Sequence, residues 1–488
     1  MTVRKKLYIN GQWRAAAQSS EHGVINPATG KVCDTVASAL ESDVDAAVVA
    51  AGAAGRGAGA NGGGSWSKWA PAERGRMLYQ TARLIRAAKD ELAGLLREEN
   101  GKTVVGAQVE VESAARYTEY YAGIADKIQG SELALAHGVS DYVRREPLGV
   151  TAHIVPWNYP LDVFCRSVAP ALAAGNTVVA KPSLETARAT QSMVGLFEEA
   201  GVPAGVLNSV PGEGGRAGAR LAGHPDVEGL VFTGSLETGR TVLELAGRNI
   251  TPIIAIELGS KCPALVFCDG PLLDAAIGET VGNMSWNCGQ SCGQRSRVYV
   301  DRRVYDRFIT GVEERLRAVR IGMPDDPGAQ LGPLANASQY AKYCDYLERG
   351  RRAGARELAG PKLPESLPGD GYFVRPTAFA DCRQEMDIVR DEVFGPMVAI
   401  VPVDTFSDAI ELANDSRYGL SAAVWTDSVK DEHRAIRELN AGHVTVNGSG
   451  AFGFEVPFGG VGDSGYGREG GPQAIYAYTR EKNVYVTH

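Results

Sequence analysis

No stretch of this 488-residue chain is apolar for long enough to cross a membrane. The nearest, from Val163 to Val179, is interrupted by Arg166, Gly175 and Asn176. Histidine is scarce, with seven scattered residues and no HExxH, and the eight cysteines include no CxxC. Cys288 and Cys292 stand four apart, but no nearby His or Cys completes a zinc set, so metal catalysis is not expected. The scatter also argues against a disulfide scaffold; the default for each thiol is a small buried hydrophobe. Positive charge is not in excess. With 58 acidic and 50 basic residues the net charge is -8, which argues against a nucleic-acid partner. The opening MTVRKKLYIN is basic without an apolar core, so no secretory signal is read there and the expected location is cytoplasmic.

The length suggests two or three packed domains. Early strand-like pieces (LYINGQWR, GVINPATGKV) precede helical patterns over Ser42–Ala54, Pro71–Asn100 and Val104–Ile124. Between the first two lies GRGAGANGGGSW, which reads as a flexible surface loop. From Val150 short apolar strands alternate with helices: VTAHIV, NTVVAKPS, VLNSVPG, VEGLVFTGS and PIIAIELG. That alternation predicts an α/β fold with a doubly wound parallel sheet, whose ligands bind at the carboxyl ends of the strands. PALVFCD, RSRVYVD, MVAIVPV, SAAVWTD and HVTVNG predict a second such lobe. The tail AYTREKNVYVTH is an alternating strand with no sequence neighbour, which hints at self-association.

Chemistry is sought at those strand ends. GSLETG, from Gly234 to Gly239, and PGEGGRAG, from Pro211 to Gly218, each follow a strand and open a helix, where backbone N–H groups favour a pyrophosphate. Neither fits GxGxxG, and plain turn glycines are the alternative. Lys181 closes a strand and can reach a phosphate or ribose, or be a solvated loop lysine. Glu257 closes an apolar strand, a partly desolvated setting for a general base or for a capping carboxylate. Cys292 lies between glycines in NCGQSCGQRSR, where polar neighbours weigh a nucleophilic thiolate against a core cysteine.

Together these segments resemble the aldehyde dehydrogenase superfamily along nearly the whole chain. The motifs run in order: PWNYP at Pro156–Pro160, AGNTVVAKPS at Ala174–Ser183, FTGS at Phe232–Ser235, IELG at Ile256–Gly259, GQSC at Gly289–Cys292, EVFGP at Glu392–Pro396 and PFGGVGDSGYGRE at Pro457–Glu469. The resemblance implies that Cys292 attacks an aldehyde, that Asn158 and the Cys292 N–H hold the oxyanion, and that Glu257 activates the water that hydrolyses the thioester. It implies that Lys181 meets the adenosine ribose, Ser235 the pyrophosphate and Glu392 the nicotinamide ribose of NAD or NADP. Pro156, Trp157, Ser183, Gly214, Gly234, Gly259 and Phe394 would complete the cofactor cleft. The implied domains are a cofactor domain over 1–126 and 148–257, a catalytic domain over 258–470, and an oligomerisation element over 127–147 and 471–488, forming a homodimer or homotetramer. A CoA-acylating enzyme and a non-catalytic paralogue are the rival readings.

Three departures from the family pattern stand out. Leu184 replaces the glutamate that often grips the adenosine ribose, so NAD is a lean over NADP, and Glu185 is not assumed to substitute. Ser260 replaces a glycine after the base, with a possible effect on the base's mobility. Arg166 falls in the stretch that borders the substrate tunnel, where it would bind a semialdehyde carboxylate, serve structure in an aromatic-aldehyde enzyme, or be quenched by Asp162 one turn earlier. Tyr159, Trp286, Phe452 and Phe454 are expected to add aromatic wall.

Overall fold

The computed structural model describes residues 3–56, 65–448 and 453–488. Residues 57–64 of the glycine-rich segment lie outside it. Five strands form the parallel centre of the first sheet: β1 (Val150–Ile154), β2 (Thr177–Lys181), β3 (Leu207–Ser209), β4 (Gly229–Thr233) and β5 (Ile253–Glu257). Their spatial order is β3-β2-β1-β4-β5, so the winding reverses between β1 and β4. The crevice at such a reversal, outside the carboxyl ends, is where open α/β sheets bind ligands. β1 and β2 are buried at every position because helices cover both faces, which is why their sequences are continuously apolar rather than alternating.

The second sheet is β6 (Pro263–Phe267), β7 (Arg297–Asp301), β8 (Thr377–Ala380), β9 (Met397–Val403), β10 (Ser421–Thr426) and β11 (His443–Val446), parallel in the order β8-β9-β7-β6-β10-β11. An antiparallel strand, Gly465–Gly467, crosses back to pair with β5 of the first sheet. The expected division, which gave everything from 258 to 470 to the second lobe, therefore does not follow the sheets at its end. The helical pattern over Pro71–Asn100 also divides, into Pro71–Ala87 and Lys89–Asn100, because Ala88 leaves helical geometry (φ -96°, ψ 17°).

The tail strand Thr479–Thr487 pairs antiparallel along its whole length with Val139–Pro147, which also carries Ser131–Leu133 on its other side. Three helices shape the cleft: α1 (Val104–Ile124), α2 (Pro160–Ala174) and α3 (Leu236–Gly247). Thr103 caps α1 by accepting from the Gly106 N–H, and Pro160 opens α2 where no N–H is needed. Among the described residues no helix is long and apolar enough to cross a membrane.

Candidate active site

A cavity of about 760 Å³ opens where the two sheets point their strand ends at each other. β1 leads into it through Pro156, Trp157, Asn158 and Tyr159, β4 through Gly234 and Ser235, and β5 through Glu257 and Gly259. The second lobe supplies Trp286, Cys292, Glu392 and Phe394.

The Cys292 thiol donates to Glu257 Oε1 at 2.7 Å. Burial, the facing Glu257 charge and that hydrogen bond all push the thiol well above its ordinary range, while Arg166 pulls the other way. At rest the sulfur is therefore a thiol with a proton acceptor in contact. The loop that carries it is unusual: Asn287 (φ 49°), Cys288 (φ 54°) and Gly289 (φ 65°) are successive left-handed residues. At Gly289 a Cβ would also collide with the Gly395 carbonyl, so the GQSC glycine is required by both conformation and space. Ser260 donates its hydroxyl to the Cys292 carbonyl and its N–H to Glu392 Oε1 at 2.8 Å. These two bonds tie the thiol loop to the strand end at Ser260. Gly259 next to it lets Glu392 approach, since a Cβ there would strike the carboxylate.

Asn158 is buried, and its side-chain amide donates to the Gln290 carbonyl at 3.1 Å. An amide nitrogen has two hydrogens, so one remains for another acceptor. Its backbone is fixed by a buried network absent from the sequence reading. Lys102 Nζ donates to the Asn158 carbonyl at 2.7 Å and to Asn287 Oδ1 at 2.6 Å, and pairs with Glu110 at 3.0 Å. Glu110 in turn accepts from the Leu161 N–H at 2.9 Å, satisfying an orphan donor of the first turn of α2.

Arg166 is buried and bonded to two carboxylates: Glu257, through the oxygen not used by Cys292, and Glu469 at 2.8 Å. Asp162 is not within ion-pairing distance of it and receives the Ser113 hydroxyl instead. The geometry reason is that Asp162 faces α1 while the guanidinium reaches across to β5. Burial pushes the Glu469 carboxyl up to about 7.

Lys181 is buried and turned inward, donating to the carbonyls of Pro182 at 3.1 Å and Gly212 at 3.0 Å; burial lowers it to about 8. Lys181, Ser183 and Gly214 stand outside the cavity wall just described. Leu184 packs with Val24, Val36 and Ala187, and Glu185 accepts from Ser183 at 2.6 Å and from Asn336 at 2.9 Å. Ser235 caps α3 by accepting from the Thr238 N–H at 3.3 Å, and Gly234 and Ser235 line the cavity, so the start of that helix borders the cleft. Trp157 and Phe394 meet edge to face across the opening at 5.6 Å.

Among the aromatic positions, Tyr159 and Trp286 line the cavity. Phe452 falls outside the described residues. Phe454 packs against Tyr117 and Tyr120 with Arg116 over its ring, behind the wall rather than in it. Tyr117 and Phe458, which the sequence reading did not single out for this role, line the cavity. Tyr117 follows Gly106, Glu110 and Ser113 on one helical face, a spacing that only acquires meaning once that face is known to meet the cleft.

Two facing α/β lobes with a thiol, a carboxylate and an amide at their junction, beside an anion-ready helix start, define a nucleotide-linked enzyme that works on a carbonyl. The chain matches the aldehyde dehydrogenase family over residues 13–484 and belongs to it. Solved relatives agree across nearly their whole length. A Burkholderia cenocepacia protein described as an aldehyde dehydrogenase is 38% identical with a TM-score of 0.95, covering 100% of this chain and 98% of its own. Betaine aldehyde dehydrogenase from Staphylococcus aureus, in complex with NAD+, is 32% identical with a TM-score of 0.95, covering 99% and 95%. An indole-3-acetaldehyde dehydrogenase, also with NAD+, is 36% identical with a TM-score of 0.95, covering 100% and 97%.

Proposed function

We propose that this enzyme oxidises an aldehyde to its carboxylic acid, with Cys292 as nucleophile, Glu257 as base and Asn158 as oxyanion donor. The observation that carries the reading is the 2.7 Å contact from the Cys292 thiol to Glu257 at the junction of the two lobes. The thiol passes its proton to Glu257 as sulfur bonds to the carbonyl carbon. The resulting alkoxide takes hydrogen bonds from the spare Asn158 N–H and from the Cys292 N–H. Such donors are each worth about 10²–10³ in rate.

The residues at the strand ends fit a nicotinamide dinucleotide: the α3 start at Ser235 for its phosphates, Glu392 for one ribose and the Trp157–Phe394 edge for its ring; Lys181 would meet the other ribose only by leaving the Pro182 and Gly212 carbonyls it now serves. When bound, that group accepts the hydride which the tetrahedral adduct must lose to become a thioester on Cys292. Glu257 then gives up the thiol proton to solvent and takes one from water, whose oxygen attacks the thioester carbon; the sulfur leaves as a thiolate and recovers that proton from Glu257, and the acid is released. A base in contact with the sulfur supports water, rather than CoA, as the acyl acceptor.

The test is turnover of an aldehyde panel with and without CoA, beside the Cys292→Ala variant. Cys292→Ala should lose turnover and still bind NAD+. Strict dependence on CoA, or normal turnover by that variant, would sink the proposal. We further assign self-association to the sheet formed by Val139–Pro147 and the tail strand; truncation after Tyr478 should lower the native mass measured by light scattering.

A further inference from the structure

The cations around the cavity are already committed. Arg166 serves Glu257 and Glu469, Lys102 serves Glu110 at 3.0 Å, and Arg295 serves Glu279 at 3.0 Å. Lys342 stands near Glu392, among the residues assigned to the cofactor. A substrate carboxylate entering this space would find no uncommitted cation beyond that lysine. It would meet Asp162, whose carboxylate lines the cavity and has no ion-pair partner among the described residues. Ser113 supplies one hydrogen bond to it, to Oδ1.

We propose that Asp162 is a specificity-determining residue, and that the preferred aldehydes carry a positive charge, an ammonium group, at the end away from the carbonyl. The inference rests on Cys292 being the nucleophile. Asp162 sits one turn before Arg166 on α2, about 6 Å along the axis. Arg166 touches the same Glu257 that receives the thiol. Asp162 lies within electrostatic reach of Glu257, and both line the cavity that holds Cys292, so a carbonyl at the sulfur and an ammonium at Asp162 share one space. The walls of that cavity include Tyr117 and Trp286, the latter 40% exposed, and aromatic rings attract cations held against them. Burial raises the Asp162 carboxyl while Arg166, Ser113 and Lys102 oppose the rise and Glu257 adds to it.

The proposal is tested by binding, apart from turnover. Three unreactive alcohols of matched length, ending in trimethylammonium, an uncharged tert-butyl group or carboxylate, are titrated by calorimetry into NAD+-saturated Cys292→Ala. The ammonium alcohol should bind at least about tenfold more tightly than the uncharged one, and the carboxylate most weakly. Adding Asp162→Asn, which keeps an acceptor for Ser113, should erase the ammonium preference, whereas Ser113→Ala should retain it. Unchanged preference in a folded Asp162→Asn protein, or tightest binding by the carboxylate, overturns the proposal. Oxidation of the corresponding aldehydes by the native enzyme tests the reaction separately: ordered binding without turnover would defeat the dehydrogenase reading and leave this subsite standing.

Discussion

Glu257 bridges Cys292 and Arg166, one carboxylate oxygen accepting from the thiol at 2.7 Å and the other held by the guanidinium. The arrangement fixes the base in position without filling the oxygen that faces sulfur. Glu257→Gln keeps the shape but cannot carry a proton. Its kcat should fall at least about 100-fold, the low end of what a positioned base contributes. Hydrolysis needs this group to activate water, so the thioester that does form should persist on Cys292 after acid quench, as a mass increment on its peptide. A kcat within a few-fold of the native value would contradict the assignment.

The second carboxylate on Arg166 introduces a pH dependence. Glu469 titrates at about 7 in the folded protein because it is buried, whereas a carboxyl in an unfolded chain titrates near ~4.3. The folded state therefore holds the extra proton, and the associated stability is fully present below the unfolded value and lost as pH rises through about 7. Thermal unfolding should show that decline, and Glu469→Gln should flatten it. Above this range the ionised Glu469 competes with Glu257 for Arg166, so kcat should change over the same interval in the native enzyme and not in the variant. Superimposable pH profiles would refute the coupling.

Much of this arrangement was legible in the sequence. The strand ends PWN, FTGS and ELGS came from the alternation of apolar strands and helices, and the tail strand's need for a partner came from its period of two. What stayed hidden depends on long-range packing. Nothing local in Glu99-Asn100-Gly101-Lys102 says that the lysine will run beneath Asn158, and nothing near Glu469 says that it will share Arg166 with a residue more than two hundred positions earlier. Arg166 was visible as a charge in an apolar helix, but its partners were not, so the carboxylate-binding option stayed open until two internal carboxylates were found on it. The single helix over Pro71–Asn100 failed for the opposite reason: its apolar spacing continues through Ala88, where the backbone leaves helical geometry, a break that periodicity does not register.

Cofactor choice follows from two side chains that turn away. Leu184 is packed against Val24 and Val36, and Glu185 is bonded to Ser183 and Asn336, so neither offers a free carboxylate to repel a 2′-phosphate. NAD should be preferred over NADP by less than about tenfold in kcat/KM, under ~1.4 kcal/mol. Steady-state rates with each cofactor at a fixed aldehyde concentration check this. A ratio above about a hundred would require a discriminating group elsewhere in the cleft.

Lys102 holds the oxyanion loop from behind. It links the Asn158 carbonyl to Asn287, and so joins the β1 end to the loop that carries the nucleophile. Lys102→Met removes both bonds and leaves Glu110 buried without its cation, a loss of about 3–5 kcal/mol for a pair of this kind. Adding Glu110→Gln removes the stranded charge and keeps an acceptor for the Leu161 N–H, so the double variant should recover much of the stability in chemical denaturation. It should not fully recover kcat, because the Asn158 carbonyl is then held by the Asn287 amide alone, which donates to it at 3.1 Å, without the lysine that fixes both, while NAD+ affinity should change little. A double variant that regained native kcat would show that Lys102 serves only to neutralise Glu110 and has no part in positioning the amide.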